Sequence, residues 1–207
     1  MPRRTFTTHA LARRRSGGCT CGVTADLLVQ ELGATLEQAE KAEAKLFPPI
    51  RANRTEDKVR NTFRALQERL GLSDAELKKV VLGTPPVLGM SIGANVLPSL
   101  AALQERLGLS DAELKKVVLR LPPVLGMSVE ANVLPTLEFL QRELGLSDES
   151  LHERIVGNPV MLGYSLEKRL RPRLELCRKR GLPAEDMLFN HHSKTPEDFE
   201  ALCGAAA

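Results

Sequence analysis

LQERLGLSDAELKKVVLGTPPVLGMS at residues 66–91 returns at 103–128 as LQERLGLSDAELKKVVLRLPPVLGMS, changed only at Gly83/Arg120 and Thr84/Leu121. The step is 37 residues. A fixed period of this size marks stacked supersecondary units. Outward from the pair, the phrase loosens to GLSDESLHERIVGNPVMLGYS from Gly145, while Pro48, Pro85, Pro122 and Pro159 keep the step. A degenerate unit opens near Gly33, and a partial one opens at Gly181 after a one-residue deletion, leaving about four usable units.

Each unit reads as two helices. Ser110 with Glu113 three residues on forms a capping box, in which each side chain satisfies the other's free backbone N–H. Leu114, Val117, Val118 and Leu121 then mark one helical face. Pro122 and Pro123 stop the helix, because proline lacks the N–H and clashes with the preceding turn. After them, Ser128 caps a second helix with apolar positions Val133, Leu137, Leu140 and Leu144, closed by Gly145. Pro98, Pro135 and Pro172 fall inside successive second helices, which predicts a kinked or late-starting helix repeated in every unit. No strand pattern occurs. A helix pair cannot bury its apolar face alone, so the units must stack, and the expectation is an all-α, curved helical-repeat solenoid.

The 207 residues carry a net charge of +3, unevenly spread. Residues 1–25 hold five arginines and no acid, and residues 26–166 hold sixteen bases against nineteen acids. Residues 167–180, EKRLRPRLELCRKR, hold seven bases and two acids, whereas from 181 onward one lysine faces five acids. The Arg-rich, acid-free start has the composition of an organellar transit peptide, so residues 1–24 are read as a transit peptide or basic arm, 25–182 as the repeats, and 183–207 as an acidic tail. No window has the apolar length of a transmembrane helix. With no Trp and one Tyr, a binding surface of stacked rings is disfavoured. Four scattered cysteines do not make a disulfide framework.

The order LGLSDAELKKVVLRLPPVLGMSVEANVLPTLEFLQRELGLSD, with GNPVMLGYSLEKRLRPRLELCRKRGL after it, resembles repeats of the mitochondrial transcription termination factor (mTERF) family. The shared features are the capped LGLSDAEL start, the proline followed by VLG(M/Y)S, and the PxL of the second helix, over about residues 30–182. The resemblance implies a left-handed curved solenoid of triple-helical units whose third, short turn is PPVLGMS. It also implies non-enzymatic binding of double-stranded DNA or RNA in mitochondria or plastids, along a positively charged concave groove. The family commonly has more units than this chain.

Phosphate binding needs lysines and arginines that release counterions. One ladder lies on the capped helices: Lys78 and Lys79, then Lys115, Lys116 and Arg120. It is equally the solvated face of an amphipathic helix, and it fades at His152 and Glu153. The other ladder is on the last second helix: Lys168, Arg169, Arg171, Arg173, Arg178, Lys179 and Arg180. Its charge density exceeds what a solvated face needs, because like charges a turn apart repel. The aligned residues are neutral: Asn95 and Asn132 for Arg169, Ser99 and Thr136 for Arg173. Tyr164 reads as packing, and Asn95 and Asn132 as capping or interhelical groups rather than base readers.

No catalytic constellation stands out, and no cofactor or metal is expected. Asp74, Asp111 and Asp148 each follow a capping serine, where the helix dipole explains them. Cys19, Cys21, His191, His192 and Cys203 lack zinc-ligand spacing. The expected role is a nucleic-acid-binding regulator of organellar transcription or its termination, mitochondrial or, alternatively, plastid, with duplex DNA favoured and the transcription machinery as a further partner. The alternatives are a protein-interaction adaptor, which the acidic balance of 26–166 favours, and an RNA-binding factor in splicing or ribosome biogenesis.

Overall fold

The computed structural model describes residues 22–46, 48 and 55–205. The expected basic arm falls outside them up to residue 21, as do Cys19 and Cys21. Val23 and Thr24, grouped above with that arm, form the start of α1 (Val23–Leu32), where Thr24 is buried. α2 (Leu36–Ala44) and α3 (Glu56–Leu70) follow. Two near-identical units come next, with capped helices α4 (Asp74–Gly83) and α6 (Asp111–Arg120) and second helices α5 (Leu97–Leu107) and α7 (Leu134–Leu144). The third unit supplies α8 (Asp148–Gly157) and α9 (Arg171–Lys179), and α10 (Ala184–Asn190) and α11 (Pro196–Ala205) close the chain. The described residues contain no strand.

The capping boxes form as the spacing predicts: Ser73 and Ser110 accept from the N–H of Glu76 and Glu113, whose carboxylates accept from the serine N–H at 2.8 and 2.9 Å. Glycines 33, 71, 108, 145 and 181 end helices at φ of 59 to 68°. A side chain is strained in that conformation. Each double-proline or proline stop opens a short 3₁₀ turn, at Pro85–Gly89, Pro122–Gly126 and Pro159–Gly163.

The α-helical part of each second helix starts late, at Leu97, Leu134 and Arg171, with the proline in its first turn. Each helix begins as a π-helical turn, at Ile92–Val96, Val129–Val133 and Leu166–Leu170, capped by Ser91, Ser128 or Ser165. In these turns the N–H groups of Val96, Val133 and Leu170 reach back five residues, to the capping serine carbonyl, at 3.2–3.3 Å. Leu97, Leu134 and Arg171 do the same one step later. Pro98, Pro135 and Pro172 come next, where the five-residue register hands over to the α-helical one. Their missing N–H thus coincides with the skipped bond. α3 provides an internal control. It has Asn61 in place of the proline and runs as α-helix from its first turn.

Neighbouring capped helices pack on each other (α4 on α6, α6 on α8), as do neighbouring 3₁₀ turns, and α3 and α5 pack on α6 and α8. One continuous core of leucine and valine results, including Leu77, Val80 and Val81 and their copies Leu114, Val117 and Val118. Residues 183–205 are not a tail. α10 and α11 fold onto α9, and Cys177, Met187, Phe199 and Cys203 form a small second core beneath them.

Candidate nucleic-acid interface

Much of the first ladder serves the junctions between units. Lys78 donates to the Gly33 carbonyl at 3.1 Å, and Lys115 repeats the bond to Gly71 at 2.8 Å. Each ammonium thus meets the negative end of a helix lying more than forty residues earlier. Lys115 also pairs with Glu76 at 2.8 Å, and its ammonium, with the Ser73 cap, holds that carboxyl down to about 2. His152, where the ladder fades, keeps the geometry. Its Nδ1 donates to the Leu107 carbonyl at 2.7 Å and its Nε2 faces Glu113 at 3.0 Å. Those bonds raise the His152 pKa, the carbonyl bond contributing most. Glu113 is held down to about 2, chiefly by the Ser110 hydroxyl and N–H and then by His152. Arg120 donates to the Gly157 carbonyl of the next unit. Lys79 and Lys116 differ: both are exposed, and neither side chain has a partner among the described residues.

The second ladder is divided more sharply. Arg173 is 6% exposed, its guanidinium lies 4.3 Å over the Phe199 ring, and it donates to the carbonyls of His191 and His192 at 3.1 Å and to that of Lys194. Arg169 donates to the His192 and Lys194 carbonyls at 2.6 and 2.9 Å and stacks 4.1 Å from the Tyr164 ring. Burial and the neighbouring Arg169 lower the pKa of Arg173. The expectation that Arg173 is a phosphate contact therefore gives way to a role inside the fold, and Arg169 shares it. Both arginines satisfy the carbonyls of the 191–195 loop between α10 and α11. Burial, with both guanidinium charges nearby, also lowers the pKa of His192, whose Nδ1 lies 3.0 Å from the Tyr164 hydroxyl.

Arg171 pairs with Glu167 at 2.9 Å and lies 5.1 Å from the Phe139 ring. Arg178 pairs with Glu143 at 3.0 Å. Lys168, Lys179 and Arg180 are exposed and have no ion pair among the described residues. Of the two ladders, the cations left for a polyanion are thus Lys79 and Lys116 on the capped helices, with Lys168, Lys179 and Arg180 on and just after the last second helix.

Sequence reasoning missed the junction set carried by Arg69 and Arg106. Arg69 reaches Gln104, and Asp111 at 3.2 Å; Arg106 repeats this with Gln141 at 2.9 Å and Asp148 at 3.6 Å. Asp111 also accepts from Gln104, so this aspartate ties units together as well as facing a helix dipole. The readable signal was LQERLG becoming LQRELG at 140–145. Cys177 follows where a glutamine would accept, and the exchange instead places Glu143 to accept from Arg178.

No curated protein matches the chain. The mTERF family model matches residues 29–200, from α1 into α11. With capped helix, 3₁₀ turn and proline-marked second helix recurring in order across that span, the chain belongs to the mTERF family, helical-repeat proteins that bind nucleic acid in organellar gene expression.

Proposed function

We propose that this protein binds double-stranded DNA through phosphate contacts and acts, without catalysis, in organellar transcription or its termination. It would do so by occupying duplex in the path of the polymerase. The Arg-rich residues 1–24 support a mitochondrial or, alternatively, plastid address. The observation that carries the binding reading is the pair Lys79 and Lys116. They recur at the 37-residue step, are exposed, and keep their charge unpartnered while Lys78 and Lys115 beside them are bound into the fold. Lys168, Lys179 and Arg180 add a second cluster of the same kind. Such contacts position a protein on the backbone and do not read sequence.

The test is a salt titration of the full chain on duplex DNA, single-stranded DNA and RNA. K79E/K116E should weaken duplex binding and reduce the slope of log affinity against log salt by about 2, roughly one per lost phosphate contact. An unchanged slope removes these lysines from the interface. Tighter binding to RNA selects the RNA reading, and absence of salt-dependent binding to any of the three selects the protein adaptor.

A further inference from the structure

Between the π turn of one unit and the short turn of the next, a cleft repeats at the 37-residue step. The first, of about 440 Å³, runs between Asn95, Pro98 and Ser99 on one wall and Gly126 and Glu130 on the other. The second, of about 530 Å³, has the counterparts Asn132, Pro135, Thr136, Gly163 and Glu167. Methionine and leucine make the apolar floors: Met90 and Leu125 in one, Met127 and Leu162 in the other.

The third position of the series is closed, and what closes it is informative. Lys168, Arg169 and Arg173 replace the alanine, asparagine and hydroxyl residues, and the non-helical loop 191–195 presents its carbonyls to the two arginines. The chain itself therefore places peptide backbone against this part of a second helix. In the open clefts the available donors are the Asn95 and Asn132 amides and the Ser99 hydroxyl, none of which has a partner among the described residues. Glu130 and Glu167 stand at the mouths, Glu167 shared with Arg171. Carboxylates there repel a phosphodiester chain and attract a cationic side chain.

We propose that the two open clefts dock a non-helical, basic segment of a partner protein, with one apolar side chain in each cleft and basic side chains toward Glu130 and Glu167. The spacing suits such a segment. Packed helices lie about 8–10 Å apart, and in a polyproline II strand every third side chain returns to the same face after about 9 Å. Methionine floors adapt to varied apolar side chains. Neither Lys79 nor Lys116, the pair that carries the duplex-binding reading, lines these clefts.

The test uses the full chain and a fluorescein-labelled (Leu-Pro-Arg)₄ peptide, read by fluorescence anisotropy. The expected result is saturable binding that A94R/A131R weakens at least tenfold, that K79E/K116E leaves unchanged, and that is absent for (Leu-Pro-Glu)₄. Ala94 and Ala131 are exposed, so the arginines enter the cleft mouths without disturbing the core, and an unchanged circular dichroism spectrum checks this. Failure of (Leu-Pro-Arg)₄ to bind, equal binding by A94R/A131R, or equal binding of the Glu peptide overturns the proposal. Displacement of the peptide by single-stranded oligo(dT) also overturns it, because the clefts would then be nucleic-acid sites. Loss of duplex binding alone leaves it standing.

Discussion

The open clefts at Asn95 and Asn132 and the closed position at Arg169 are built on the same π turn and the same proline-marked helix, yet two face solvent and one lies under the chain's own loop. The backbone is set by the elements all three share: the serine cap, the five-residue turn and the proline. What happens on top of it is set by two side chains per unit. Asparagine with serine or threonine leaves a cleft, and arginine with arginine captures four carbonyls. A dense run of positive charge in a repeat can therefore be internal mortar.

The largest effect expected from this contrast is on stability. R173M keeps most of the buried volume but removes the guanidinium that donates to the His191, His192, Lys194 and Thr195 carbonyls and lies over the Phe199 ring, and it should cost about 3 kcal/mol in urea unfolding. S99A, at the equivalent site of an open cleft, should stay within about 0.5 kcal/mol. Equal costs would mean that the guanidinium does not hold the closed junction.

A second measurement reads the same junction locally. Cys177 is fully buried against Cys203, and burial, reinforced by that neighbour, pushes its thiol up to about 11. Only the thiolate reacts, so modification by an aromatic disulfide reagent should be slow and should require α11 to lift. R173M should accelerate it on the order of 100-fold if the lost stability is local to this junction. An unaltered rate would place the opening elsewhere.

The smallest effect separates the two equivalent staples. One is Lys115 on Glu76; the other is His152 on Glu113, and there the histidine has a raised pKa. The histidine's contribution is complete below its ordinary pKa of ~6.5 and is lost as pH rises through the raised value. Glu113 is held down to about 2, so its contribution is present above the ordinary carboxylate range and fades only as pH falls toward that value. Between pH 6 and 8 the wild type should lose less than about 2 °C of Tm. H152K should abolish that loss, and if the loss persisted in H152K the histidine would not be its source.

The repeat, its capping boxes, its proline stops and its terminal glycines were legible in the sequence because each acts over a few neighbouring residues. The π turn was half legible. Proline announced an irregular helix, but only the hydrogen bonds reveal which register absorbs it. The fates of Lys78, Lys115, Arg169 and Arg173 were not legible. Each is decided by a carbonyl 18 to 45 residues away, and carbonyls leave no mark in a residue pattern. One sign was present: charged residues replacing neutral ones at matched positions in the final unit, with Tyr164 and Phe199 to cover them.

The junctions of the two near-identical units have a consequence for how the molecule can change length. Arg69 meets Gln104 and Asp111 as Arg106 meets Gln141 and Asp148. Excision of residues 71–107 would therefore join Leu70 to Gly108 and hand Arg69 the partners of Arg106, orphaning no donor. Residues 71–107 behave as a cassette with matching ends, so gene duplication can lengthen or shorten the array in whole steps without inventing a new contact.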